Sequence, residues 1–359
     1  MKIIVDVMGG DHAPEETVKG VLWAMKEFNA TYILVGDREA IERIAAENKY
    51  DIRLLNIVDT KTYITMEDDP ISVVRSKKDS SMAVGLRMLA EGQGDAFVSA
   101  GNTGALFTGA TLIVRKIKGV LRAGIASIIP LSNPVLLLDS GANIVVTEEN
   151  LEQFAVMGSA YMKKVYDIES PRVGLLNNGA EECKGTELRQ NAYQVLKKNG
   201  DINFVGNIEG NVLPFNTCDV LVTDGFTGNI LLKGVEGIGK MLLSRLKQMF
   251  LSSPVTKVAA LSMKKQIGEM KKEFDSSEHG GAPILGISKP VIKAHGSSNA
   301  KAFKNAIRQA IAYADSGVIY DVAISAQKHV ERKKAEQARL REEALAAEAE
   351  KTVANQSND

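Results

Sequence analysis

Short apolar runs alternate along the chain with stretches in which apolar residues recur every third or fourth position. Continuous runs predict buried strands, and the wider spacing predicts amphipathic helices. Ile3-Ile4-Val5 is the first run; Pro14 then stands at a first helical position ahead of Val18, Val21, Leu22 and Met25. Tyr32 to Val35 predicts the next strand, Ile41, Ile44 and Ala45 a helix, and Ile52 to Val58 a third strand. Further strands are expected at Ala96 to Val98, Ile125 to Ile129, Val135 to Leu138, Val173 to Leu176, Asn203 to Val205 and Val220 to Val222. Gly280-Gly281-Ala282-Pro283 reads as a loop. This alternation predicts an α/β fold: a three-layer α/β/α arrangement with a mostly parallel sheet covered on both faces.

Small and polar residues follow nearly every predicted strand. Asp6 closes the first and Gly36-Asp37 the second; Ser99 to Thr103, Asp139 to Asn143, Asn177 to Gly179, Gly206-Asn207 and Thr223 to Gly225 follow later ones. Turn chemistry accounts for any single cluster. Their recurrence predicts one shared site at the strand tips, where parallel sheets hold ligands.

Two regions depart from this pattern. Lys240 to Lys272 holds eight Lys or Arg and a single acidic residue, Glu269. Leu242, Leu243, Leu246, Met249 and Phe250 precede Ser252-Ser253-Pro254, and Val255, Val258, Ala259, Leu261 and Met263 follow. That spacing predicts a helical hairpin, about 240–275, inserted in a single α/β catalytic domain spanning 1–330. Ala, Glu, Lys and Arg dominate 331–359, with few apolar residues beyond Leu340 and Leu345. This predicts a charged helical extension ending in a disordered tail, Thr352 to Asp359.

Lys and Arg total 44 and Asp and Glu total 44. Zero net charge gives no global attraction to nucleic acid, so a charged partner must meet a local patch. Cys183 and Cys218 form no CxxC and no metal spacing with His12, His279, His295 or His329, which predicts a reducing, cytoplasmic setting and no metal. Asp6 breaks the N-terminal apolar run, and no later run is long enough to span a bilayer. Gly234 to Lys240 imitates a phosphate-binding loop, but Met241 stands where Ser or Thr must bind magnesium and the run lies in a helical stretch. No GxGxxG fingerprint occurs, so no organic cofactor is expected.

The candidate chemistry lies in the strand-to-helix turns. Gly9-Gly10-Asp11 and Gly101-Asn102-Thr103-Gly104 offer amides suited to an anion, or are plain capped turns. Lys184, with Glu181 and Asn177 nearby, offers positive charge, or is a surface lysine. Cys183 reads as a small packed residue rather than a nucleophile. Asp224-Gly225 leads to Asn229, a possible oxyanion donor. His295 and Ser297 share a Gly/Ser loop where histidine serves as an acid, a phosphate ligand or an ordinary loop residue.

The segments VDVMGGDHAP, SAGNTGA, LLLDSGAN, NNGAEECKG, FVGNIEG, DVLVTDGFTGN, GGAPILG and AHGSSNA occur in this order between Val5 and Ala300. Together they resemble the phosphate acyltransferase family of bacterial phospholipid synthesis (the PlsX family). Asn178 departs from the aliphatic residue that family carries, and Cys183 is foreign to its motif. The resemblance implies transfer of a fatty acyl group from acyl-acyl carrier protein to inorganic phosphate, giving acyl phosphate. It also implies an isocitrate dehydrogenase/phosphotransacetylase-like fold and a homodimer, loosely associated with the inner face of the cell membrane. Its product would feed a membrane glycerol-3-phosphate acyltransferase, and no cofactor is implied.

On that reading Gly9 to Asp11, Gly101 to Thr103 and Lys184 hold phosphate. Asn229 or Asn177 stabilises the oxyanion, and His295 protonates the departing thiolate. Asp6, Ser99, Asp139, Asn143, Glu181, Asn207, Asp224, Gly225 and Ser297 complete the expected binding set. The basic, apolar hairpin is expected to meet the acidic carrier protein and lipid. The rival expectations are a phosphotransacetylase using coenzyme A, an isocitrate-like dehydrogenase, and a non-catalytic phospho-ligand or membrane scaffold.

Overall fold

A computed structural model describes residues 1–131, 133–273, 278 and 280–356. The strands are β1 (Lys2–Asp6), β2 (Thr31–Gly36), β3 (Asn56–Asp59), β4 (Ala96–Ser99), β5 (Gly124–Ile129), β6 (Val135–Leu138), β7 (Arg172–Leu176), β8 (Asn203–Ile208), β9 (Val220–Val222), β10 (Ala282–Leu285) and β11 (Val291–Lys293). They form one sheet in the order β3-β2-β1-β4-β11-β10-β5-β6-β9-β7-β8. Neighbours are parallel on either side of the centre, while β10 runs antiparallel to both β11 and β5, and β5 to β6. The helices are α1 (Glu15–Glu27), α2 (Arg38–Glu47), α3 (Ser81–Ala90), α4 (Thr103–Gly109), α5 (Glu148–Val165), α6 (Glu187–Lys198), α7 (Gly225–Leu251), α8 (Pro254–Ser262), α9 (Lys264–Glu273), α10 (Ala300–Asp315) and α11 (Val318–Gln356).

These antiparallel steps reverse the sheet's direction midway. β1, β2, β3, β4 and β11 point one way; β6, β7, β8 and β9 point the other. Register brings the two sets of carboxyl ends to one level. Lys293 pairs with Ala282, and continuing the β10–β5 register sets Ala282 level with Ser127. From the other side Leu138, the last residue of β6, pairs with Ala126. The strand tips of both halves therefore meet across the centre of the sheet.

Strand alternation assigns side chains to two faces. Ile3, Val5 and Val98 join α1, α2, α5, α6, α10 and α11 in one continuous core. The opposite face is divided. Ile4, Phe97, Ile125 and Val291 pack under α3 and α4. Ile129, Val135, Leu137 and Leu221 pack under α7 with Cys218, whose thiol burial pushes up to about 12.

Several expectations need correction. Ile52–Leu54 is a 3-10 turn capped by the Asp51 carboxylate, which accepts from Arg53 N, so only Asn56–Asp59 is strand. Ala282–Leu285, read as loop, pairs on both sides and is a central strand. Gly206 and Asn207 lie inside β8 rather than after it. Pro14 caps α1 from just outside its first turn. The Gly234 to Lys240 run lies within α7, as its sequence context suggested. α7 continues without a break to Leu251, and α8, which has no buried residue, folds back beyond Ser253. α11 runs to Gln356, and Glu152, nearly fully buried, pairs with its Arg332 at 2.5 Å and His329 at 3.4 Å. Residues 274–277, His279 and 357–359, which include the expected hairpin end and the last of the expected tail, lie outside the described residues.

Candidate active site

The break between the two apolar clusters of the divided face is where polar chemistry collects. Asp6 follows Ile4 by one alternation, Ser99 follows Phe97 and Lys293 follows Val291, so all three return to that face. Register sets them in a row across β1, β4 and β11. On β5, Ser127 falls between Ile125 of one cluster and Ile129 of the other.

The resulting cavity has a volume of about 450 Å³. Ile125, Ser127 and Ala282 contribute to its floor. Thr103 enters from the start of α4, and Asn229, Lys233, Glu236 and Lys240 form one stripe of α7. Lys293, His295 and Ser297 come from the end of β11 and the loop beyond it. α7 is seated by backbone contact: a Cβ on Gly225 would stand 2.8 Å from Asn143 N, and one on Gly228 would overlap the Asp139 carbonyl oxygen at 2.0 Å.

Charge in the cavity is predominantly positive. Burial, and the Lys233 ammonium beside it, push Lys293 down to about 8, only partly opposed by Glu236. Among the described residues no carboxylate lies within ion-pair distance of Lys293. Desolvation, Lys293 and Lys233 also hold His295 below its ordinary value. Its Nδ1 accepts from Ser297 N at 3.2 Å and sits 2.9 Å from Ser297 Oγ. A backbone donor at Nδ1 places the proton of the neutral ring on Nε2. Ser127 Oγ lies 2.7 Å from Ser140 Oγ, which donates to Ile125 O at 3.0 Å. That chain ends on a carbonyl and meets no base, so neither hydroxyl is activated as a nucleophile.

Of the residues singled out from sequence, Thr103, Asn229, His295 and Ser297 line the cavity. Gly9, Gly10, Asp11 and Gly101 sit beside it, where three loops meet backbone to backbone. A Cβ on Gly9 would stand 2.8 Å from Gly101 N, and Gly10 holds a φ of +120° against Ala100. Two of the expected anion-binding amides already have partners: Asp11 N donates to Gly296 O at 2.8 Å and Gly101 N to Ser99 Oγ at 3.0 Å. Asp6 accepts from Ser99 Oγ at 2.7 Å and Met8 N at 3.1 Å, and burial raises its pKa. Asn102 caps α4 through Ala105 N and donates to the carbonyls of Thr65, Met66 and Asp68.

Asp139 gathers the amides of Gly141, Ala142 and Asn143 into the turn that carries α7, and Asn143 donates to Ala123 O at 2.7 Å. Asp224 caps α7 through Thr227 N and pairs with Arg189 at 2.5 Å. Asn177, Glu181, Lys184 and Asn207 form a separate group beyond β9. Asn177 Nδ2 donates to Lys184 O at 3.1 Å and Asn207 Nδ2 to Glu181 O at 2.9 Å, while the Lys184 side chain is exposed. None of these four lines the cavity. Sequence reasoning missed Lys293, Ser127, Lys233 and Glu236; Ser140 lay in a strand-tip cluster assigned to the shared site, and Lys240 was read as part of the basic hairpin instead. Lys293, two residues before His295 on an apolar run, was the one available signal.

Among the described residues no group of His, Cys, Asp and Glu could hold a metal ion. Among the described residues no helix is long and apolar enough to cross a membrane.

The fold is that of the phosphotransacetylases. The phosphotransacetylase from Streptococcus pyogenes superposes with a TM-score of 0.60 at 17% identity, over 88% of this chain and 94% of that one. 4-Hydroxythreonine-4-phosphate dehydrogenase from Klebsiella pneumoniae shares the architecture, with a TM-score of 0.50 at 11% identity over 88% and 99% of the two chains. The family described as "Fatty acid synthesis protein" matches residues 1–321. The "Phosphate acyltransferase" of Thermoanaerobacter pseudethanolicus is 46% identical over 321 residues, 89% of this chain and 95% of the relative. That of Clostridioides difficile is 44% identical over 324 residues, 90% and 95% of the two. The chain belongs to this family of phosphate acyltransferases and is an acyltransferase enzyme.

Proposed function

We propose that the cavity joins inorganic phosphate to a fatty acyl group delivered as a thioester of acyl carrier protein. The acyl phosphate product then serves phosphatidic acid synthesis through a membrane glycerol-3-phosphate acyltransferase. One observation carries this reading: the cavity presents Lys293, Lys233 and Lys240 with a neutral histidine, and its serine pair lacks a base. A site that gathers positive charge in this way suits a nucleophile that arrives as an oxyanion.

A phosphate oxygen attacks the thioester carbonyl and the carbon–sulfur bond breaks. The proton of hydrogen phosphate ends on the departing thiolate, leaving acyl phosphate and free thiol. Positioning supplies most of the acceleration, since well-oriented reactants lower a barrier by roughly 7–11 kcal/mol. Asn229 donates to the carbonyl oxyanion, and the neutral His295 Nε2–H gives the departing thiolate a hydrogen bond, while the proton the thiol keeps is the one from hydrogen phosphate. Asp6, Ser99, Asp139, Asn143 and Asp224 hold the loops and α7 that carry these groups. Lys184, exposed on a neighbouring loop with Asn177 and Glu181 that Asn207 of β8 braces, adds positive charge toward incoming anionic substrates.

The enzyme acts as a homodimer in the cytoplasm, loosely on the inner face of the membrane. Lys257, Lys264 and Lys265 on α8 and α9 receive the acidic carrier protein, and the exposed apolar residues of α8 touch lipid. Mass spectrometry of products from a long-chain acyl-carrier thioester plus phosphate tests the reaction, with acyl-coenzyme A as the parallel donor. Acyl phosphate from the carrier thioester is expected. Product from coenzyme A alone would replace the donor, and thiol release independent of phosphate would sink the reaction.

A further inference from the structure

We propose that Lys293, at the end of β11, is the residue that seats the phosphate nucleophile. The inference rests on the acyl-transfer reading and sharpens it to one side chain that no motif marks.

Position comes first. Lys293 stands level with Ser99 on one side and Ala282 on the other, at the centre of the sheet where the strand tips of both halves converge. The carbonyl of Ser99 accepts from Ala294 N at 2.9 Å, so the strand that presents Lys293 is fixed to its neighbour up to the point where the chain leaves the sheet. Its side chain shares a face with Ser127 and lines the cavity floor.

Pairing comes second. A partly buried ammonium ordinarily has a carboxylate beside it, because an uncompensated charge is costly away from water. The charged groups around Lys293 do not supply one. α7 brings Lys233, Glu236 and Lys240, two cations to one anion. The loop beyond β11 brings His295, with Nδ1 engaged by Ser297. β1 brings Asp6, in the same cross-strand row but bound by Ser99 and Met8. The cavity therefore holds a surplus of positive charge around a fixed lysine, and a dianion of phosphate's size completes it. Lys184 differs on each count: it is exposed and lies outside the cavity.

The lowered pKa of Lys293 gives the site a signature. Free enzyme loses that ammonium charge as pH rises through about 8. A bound dianion restores it, so affinity for the phosphate dianion holds level to that point and then falls about tenfold per pH unit. Neither an exposed lysine nor a ring of amides produces this limb.

Equilibrium dialysis of labelled inorganic phosphate against the full-length enzyme, from neutral to strongly alkaline pH, reads it directly. Wild type should show the alkaline limb. Lys293→Met should weaken binding by at least about tenfold near neutrality, the loss expected when a charge-assisted contact is removed. Lys293→Arg should keep neutral affinity and remove the limb that begins near pH 8, because guanidinium stays charged. Wild-type phosphate affinity in Lys293→Met, or an unchanged alkaline limb in Lys293→Arg, overturns the assignment. Because binding is measured without an acyl donor, the answer stands apart from whether acyl phosphate is made. A wild type that bound phosphate through Lys293 but yielded no acyl phosphate would uphold the residue and remove the reaction.

Discussion

Single residues in this cavity owe their chemistry to neighbours that the sequence does not display. Asn229, His295, Ser297 and Thr103 could be singled out because each lies in a Gly-, Ser- or Asn-rich stretch that must turn from strand to helix. Ser127 could not, and Lys293 was marked only by its nearness to His295, since each is an interior or terminal position of a short apolar strand. Their meaning emerges only when register and alternation show which face they share. Asn229 offers the sharpest test at this scale. Its side chain is exposed at the cavity wall and contributes little packing. Asn229→Ala should lower turnover by about 10²–10³, the usual loss of an oxyanion donor, with the melting temperature unchanged. Turnover close to wild type in steady-state assays of thiol release would take Asn229 out of the chemistry.

Elements were legible where periodicity was long and ambiguous where it was short. α1 and α2 announce themselves by the spacing of Val18, Val21, Leu22 and Met25 and of Ile41, Ile44 and Ala45. The run Ile52 to Val58 looked continuous, but Asp51 captures the following amides and turns its first half into a 3-10 turn. Ala282–Leu285 was hidden by the glycines and proline around it, although β10 is sheltered by strands on both sides. α8 is the opposite case, a helix whose apolar residues find no core. Val255 is 78% exposed, Val258 69% and Leu261 72%. Such a strip beside Lys257 and Lys264 suits an anionic lipid surface. Replacing Leu261 and Met263 together by Ser should abolish sedimentation with anionic liposomes while leaving soluble-assay turnover within about twofold, as expected for exposed positions. Loss of dimerisation by light scattering, with liposome binding intact, would reassign the strip to the subunit interface.

At the scale of the whole molecule, alternation of strand and helix revealed the layers but not the reversal at the centre of the sheet. That reversal depends on the long-range pairing of β10 with β5, for which local pattern holds no record. Sheet order explains why one expected site resolved into two groups: Asn177, Glu181 and Lys184 follow β7 and Asn207 lies on β8, both beyond β9. Stability reflects the same architecture. Burial raises the Asp6 carboxyl above its ordinary value, so the folded chain binds that proton more tightly than the unfolded chain. Its contribution favours the fold below the unfolded value of about 4 and is lost as pH rises through the folded value. Asp6→Asn keeps an acceptor for Met8 N and removes the buried charge. Its melting temperature should exceed wild type at neutral pH, with the difference shrinking toward about pH 4. Calorimetry that found the variant less stable at neutral pH would mean the ionised carboxylate is worth more than its desolvation costs.

The chain leaves the first half after Ile129 and re-enters it at Ala282, and those departure and return points belong to adjacent antiparallel strands. Everything between them is, in topological terms, one long detour from a single hairpin. Closing such a detour becomes only slightly harder as it lengthens, by roughly 0.6 kcal/mol per doubling. The arm beyond Lys240, the end of α7 and α8, can therefore grow or shrink without disturbing the junction where the catalytic groups are mounted.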